Sequence, residues 1–185
     1  MSKIAIAGAT TGTGTFTLAS PATDTDRVLT LPDEAGTVDT LQRAGNVLQV
    51  VNATFSTQVV SSLSTFADTG LTATITPTAS SSKILVLVNQ AGCGKQNNST
   101  WLFLRLLRDA TVVSNFERLG GYNNATTNNF IGSCSVCFLD SPATTSATTY
   151  KTQLASGNNL SQVYTQVLDG GITTMSTITL MEIAA

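Results

Sequence analysis

Residues 101–113 read WLFLRLLRDATVV. The leucine-rich composition would suit a helix, but composition is a weak guide beside periodicity. At period two, Trp101, Phe103, Arg105 and Leu107 share one face. The run then meets Asp109-Ala110 and resumes as Thr111-Val112-Val113, which predicts two strands joined by a tight turn. The same signals recur on both sides. On the N-terminal side, Lys83–Val88 is a continuous apolar run, as a strand buried on both faces would be. Leu71–Thr76 alternates and stops at Pro77, and Val47–Val60 is extended. On the C-terminal side, Phe130–Leu139, Ala147–Ala155, Leu160–Leu168 and Thr173–Ile183 read as strands. Turns are expected at Ser141-Pro142, Ser156–Asn159 and Gly170-Gly171. Met175–Ile183 carries apolar residues on both faces, which predicts a central strand with one face in the core and the other near a contact between copies. Eight or nine strands without a helix predict an all-β domain, a β-sandwich of jelly-roll type.

Composition agrees with this class and excludes others. The chain has 185 residues, 42% hydrophobic and 11% charged, less than half the usual ~25% charged. Its polar surface must therefore come from Thr, Ser and Asn. The net charge of −2 and the scattered Lys and Arg give no basic stripe for nucleic acid. No run of 18 apolar residues offers a membrane span, and no basic segment followed by an apolar stretch offers a secretion signal. Synthesis and assembly in the cytoplasm are expected. The chain has no histidine, which removes Ser-His-Asp and Cys-His catalysis and the commonest metal ligand. Cys134-Ser-Val-Cys137 lacks the second ligand pair that zinc needs, so Cys93, Cys134 and Cys137 read as buried, unpaired thiols. No cofactor and no catalytic or metal site is expected.

The N-terminus, MSKIAIAGATTGTG (1–14), invites a nucleotide-binding reading. A phosphate turn needs a helix directly after it. Here Thr15–Ser20 suits a strand, Pro21 would break a young helix, and the third glycine of the fingerprint would fall at Thr17. The segment reads as small strands joined by a glycine turn. Residues 1–40 form a β-like attachment arm, 41–46 a connector, and 47–185 the sandwich domain. Forty residues cannot bury Ile4, Ile6, Phe16, Leu18, Val28, Leu29 and Leu31 alone, so these are expected at an axis shared by copies or against an anchor protein.

The arm, Gly12–Pro21 followed by Arg27-Val-Leu-Thr-Leu-Pro-Asp-Glu-Ala-Gly-Thr-Val38, resembles N-terminal segments of fibre and other virion proteins of tailed bacteriophages. Thr69–Pro77, Ser82–Val88, Leu104–Asp109, Phe138–Pro142 and Thr177–Ile183 resemble the knob-type domain at the ends of such fibres. The resemblance implies a structural virion protein that assembles as a homotrimer. Its arm would attach to a baseplate or tail protein, or to a capsid protein.

Three polar, glycine-containing stretches lie between strands: Gly92–Thr100, Leu119–Asn129 and Ser156–Ser161. Asn, Gln and Tyr offer paired donors and acceptors and a flat face, which suits a host surface polysaccharide or protein. The candidate receptor contacts are Lys95, Gln96, Asn97, Asn98, Tyr122, Asn123 and Asn124; otherwise these are ordinary solvated loops. The arm acids Asp24, Asp26, Asp33, Glu34 and Asp39 read as solvated charges that guard strand edges. Trp101 and Phe103 could form a stacking platform, but among leucines they read as core. Three functions compete. The leading one is a short trimeric tail fibre presenting a knob for host attachment. The second is a capsid decoration protein or head fibre. The third, a depolymerase, needs paired carboxylates. Asp68, Asp109, Glu117, Asp140, Asp169 and Glu182 are isolated in the sequence.

Overall fold

The turn at Asp109-Ala110 is the tip of one long antiparallel ribbon that makes up the domain. A computed structural model describes residues 43–124 and 129–185, together with Thr11, Thr13 and Thr17. The expectations for the rest of the arm, including its seven apolar candidates, lie outside the described residues. Val38–Ala185 forms one compact unit. The strands are β1 (Val47–Phe55), β2 (Val59–Ser61), β3 (Ala67–Ile75), β4 (Lys83–Lys95), β5 (Leu102–Arg108) and β6 (Thr111–Gly120). They continue as β7 (Asn129–Asp140), β8 (Thr148–Ser156), β9 (Val163–Thr165), β10 (Leu168–Asp169), β11 (Ile172–Thr173) and β12 (Ser176–Ile183). There is no helix among the described residues.

The pairings are nested around the tip. Strand β5 pairs with β6, β4 with β7, β3 with β8, β2 with β9, and β1 with β12, all antiparallel. Asp109 takes the left-handed conformation, φ 52°, that such a turn demands, and its Oδ1 accepts from the Thr149 amide. At the other end the connector folds back on the C-terminus: Gly45 N–H donates to Ala184 O, and Ala184 N–H to Asn46 O.

The pairs fall alternately into two sheets. One runs β1-β12-β4, with β7 on the far side of β4 and with β9 and β2 continuing past the end of β12; the other runs β3-β8-β5-β6. Both contribute to one core. Leu71, Ile75, Leu106 and Tyr150 meet Ile84, Val86, Ile178 and Leu180. A second cluster of Leu102, Leu104, Leu154, Cys93, Cys134 and Val163 continues it toward one end. A polar seam crosses this interior. Thr152 donates its hydroxyl to Gln90 Oε1, and Gln90 Nε2 and Gln166 Nε2 both donate to Ser176 Oγ. Each buried polar side chain of the seam is thereby satisfied, as burial requires.

Strand β12 is central, between β1 and β4, with Ile178 and Leu180 in the core and Met181 and Ile183 half-buried on the other side. Two readings are corrected. The face of β5 that enters the core is Leu102, Leu104 and Leu106; Phe103 and Arg105, with Trp101 just before the strand, lie half-buried on the outside. Strand β4 is fully buried on its inner face alone, with Leu85 and Leu87 half-buried outside. Cys137 is likewise exposed, while Cys93 and Cys134 are buried.

Candidate functional site

Strand β5 begins between the ends of its neighbours. Leu102 is paired with Gly120 of β6 on one side and Ser156 of β8 on the other. The residues before Leu102, after Gly120 and after Ser156 therefore emerge at the same end of the sandwich. Hydrogen bonds tie the three polar stretches together there. The Ser99 amide donates to Asn123 O at 3.0 Å, and Asn97 Nδ2 donates to Ser161 Oγ at 3.1 Å. Asn158 is the hub: its Nδ2 donates to Ser99 O and Thr100 Oγ1, and its Oδ1 accepts from the Leu160 amide. Asn97, Ser99 and Asn159 have left-handed φ values of 64°, 55° and 57°, a conformation that Asn adopts more readily than most residues.

This convergence sorts the predicted contacts. Lys95 is fully buried, so it is not a surface contact. Its Nζ donates to Asn97 O at 2.6 Å and to Asn123 Oδ1 at 2.8 Å, bracing two loops from beneath, and burial lowers its pKa. Asn97, Asn98, Tyr122 and Asn124 are exposed, and Gln96 and Asn123 are half-buried.

Sequence reasoning missed what adjoins the loops. Trp101 lies against Gly157, where any Cβ would come within 1.9 Å of the indole. Its ring meets Tyr122 edge-on at 5.6 Å and Phe103 at 6.3 Å, and Phe103 lies 6.2 Å from Phe66. The Arg105 guanidinium stacks over Phe66 at 3.7 Å, and Arg118 lies 5.8 Å from the Phe103 ring. An aromatic strip thus runs from the loop cluster onto the outer face of the second sheet. The signal for it was Arg105, a charge on the face that had been read as core.

The carboxylates have separate surroundings. Asp68 accepts from Lys151 and Gln153, Asp140 from Arg108 and Tyr150, and Glu182 from Gln49 and Thr78. Glu117 accepts from the amides of Arg118 and Leu119. Tyr150 has its phenol pKa raised, by burial first and by its hydrogen bond to Asp140 second. Cys93 has its thiol pushed up by its hydrogen-bonded neighbour Cys134 and by burial. No group of three or more Cys, Asp or Glu among the described residues is placed to hold a metal ion. A cleft of about 90 Å³ lies beside Leu48, Thr78, Ser82 and Ala184. That is far below the roughly 300–1,000 Å³ of small-molecule sites. No protein-family model and no curated protein matches the chain.

Proposed function

We propose that this chain is a non-enzymatic structural protein of a bacteriophage particle, a short trimeric tail fibre. Its N-terminal arm attaches to the particle, and its sandwich domain is the knob that adheres to the host surface. The observation that carries this reading is the convergence of three polar loops on one end of a rigid β-domain. Binding surfaces are commonly built from loops held by such a scaffold. The resemblance of the arm to virion-protein segments supports the attachment role. The nested pairings support a finer description of the fold as a jelly roll, a long antiparallel ribbon rolled so that its pairs alternate between two sheets. Trimerisation would present three loop clusters together and convert weak contacts into avid attachment.

Gold-labelled antibody against residues 47–185 tests the location. Label at the tail tip is the expected result. Label over the shell would replace the tail fibre with a head fibre or capsid decoration protein. The mass of the full chain in dilute native buffer tests the assembly, and a stable monomer would overturn the trimer.

A further inference from the structure

We propose that the outer face of the β3-β8-β5-β6 sheet binds an acidic polysaccharide, with its carboxylates on Arg105 and Arg118 and its sugar rings along the neighbouring aromatic strip. The proposal rests on the adhesive reading above and names the class of its ligand. The charges on this face do not cancel. Asp68 is neutralised by Lys151, their atoms 2.9 Å apart. Arg105 gives Nε and Nη2 to the neutral Gln153 amide oxygen, at 2.9 and 2.7 Å, and Gln153 is anchored in turn on Asp68. This pins the guanidinium flat on Phe66 and leaves Nη1 without a hydrogen bond to the described residues. Arg118 is exposed, and its guanidinium makes no ion pair among the described residues. Two planar forks with spare donors suit carboxylates, which accept such pairs of N–H bonds with geometric specificity.

The aromatic residues favour a sugar chain. Tyr122 is about half exposed, 49%, at the head of a strip that continues through Trp101 to Phe103. Ring faces are flat apolar surfaces that the C–H face of a pyranose can cover, and Tyr adds a polar tip. The amides of the loop cluster border the strip and match sugar hydroxyls. A nucleic acid would also stack, but it needs a broad basic stripe, and this chain carries a net charge of −2. A second copy laid on the same face would set arginines against arginines.

Trp101 is the only tryptophan, so its fluorescence reports on the strip directly. The full chain is titrated with oligogalacturonate at low salt, with neutral dextran and an oligothymidylate as comparisons. Oligogalacturonate should give a saturable change that weakens as salt rises, and dextran none. R118Q should bind about tenfold more weakly at unchanged melting temperature, as loss of one charge-assisted contact implies. R105Q should do the same, and if it melts early the exposed Arg118 position decides. Three results would overturn the proposal: equal binding by R118Q, equal binding of dextran, or tighter binding of the oligothymidylate. Absence of both a fluorescence change and co-sedimentation with polygalacturonate would also overturn it. Attachment to host cells separates the two readings. R118Q that attaches as well as the unaltered chain removes this site and leaves the adhesive reading standing. An unaltered chain that attaches to no cell removes the adhesive reading itself.

Discussion

Glu182 is fully buried, and its two oxygens are fully used. Thr78 donates its amide and its hydroxyl to Oε1, both at 2.7 Å, and Gln49 donates to Oε2 at 2.5 Å. Burial alone would raise the carboxyl, but these hydrogen bonds outweigh it and hold it at about 2, below its ordinary 4.5. A depressed folded value means the stabilisation is complete above about pH 4.5 and drains away as pH falls toward 2. E182Q should cost about 1–3 kcal/mol at neutral pH, because its amide turns donors toward donors. It should also flatten the acid limb of melting temperature against pH, and an unchanged limb would show that another group sets it. Gly157 supports the strip in a different way. G157A must displace the indole, at about 1–3 kcal/mol, the usual cost of overpacking. A shifted Trp101 emission maximum is the readout; an unmoved spectrum would mean the loop yields instead.

Among the elements, β12 bears the most. It is bonded on both sides, to β1 and β4, and buries Ile178 and Leu180 completely. Burying one large apolar side chain is worth ~1.5–3 kcal/mol, and a whole domain is stable by only ~5–15 kcal/mol. Deleting residues 176–185 should therefore abolish soluble folded protein. A 1–175 chain that melts unchanged would show the strand to be peripheral. Deleting residues 1–40 should leave a folded domain, since β1 through β12 all lie beyond it. That chain should no longer attach to particles. Circular dichroism and particle co-sedimentation read the two halves of this expectation separately.

Over the whole molecule, the two outer faces differ in kind. Across the β1-β12-β4-β7 sheet, Val50, Met181, Leu85 and Leu139 stand in one row, and Asn52, Thr179, Leu87 and Cys137 in the next. Neither row holds a charge, and Val50 and Leu139 are 56% and 58% exposed. The opposite face carries Arg105, Arg118, Lys151 and Asp68. Copies of the chain should meet through the uncharged face, where like charges cannot oppose them. L139R should then lower the native mass to that of a monomer. Cys137, the one exposed thiol, should alkylate slowly in the assembly and quickly in L139R. An L139R chain of unchanged mass, or equal alkylation rates in the two, would show that this face meets solvent.

The sequence by itself determined the all-β class, the hairpin at Asp109-Ala110, the run of strands and the central place of residues 176–183. It also marked the three polar stretches as loops. These features are local: period two, turn residues and apolar runs act over a few neighbours. Only the tertiary structure decided which face of residues 101–108 enters the core. Both faces carry large apolar side chains, and the choice depends on which sheet lands on them. It also buried Lys95, whose cover comes from Asn97 and from Asn123, 28 positions away. The meeting of the three loops follows from the nested register of β5 with β6 and β8. That register is set by long-range pairing, and no stretch of sequence holds it alone.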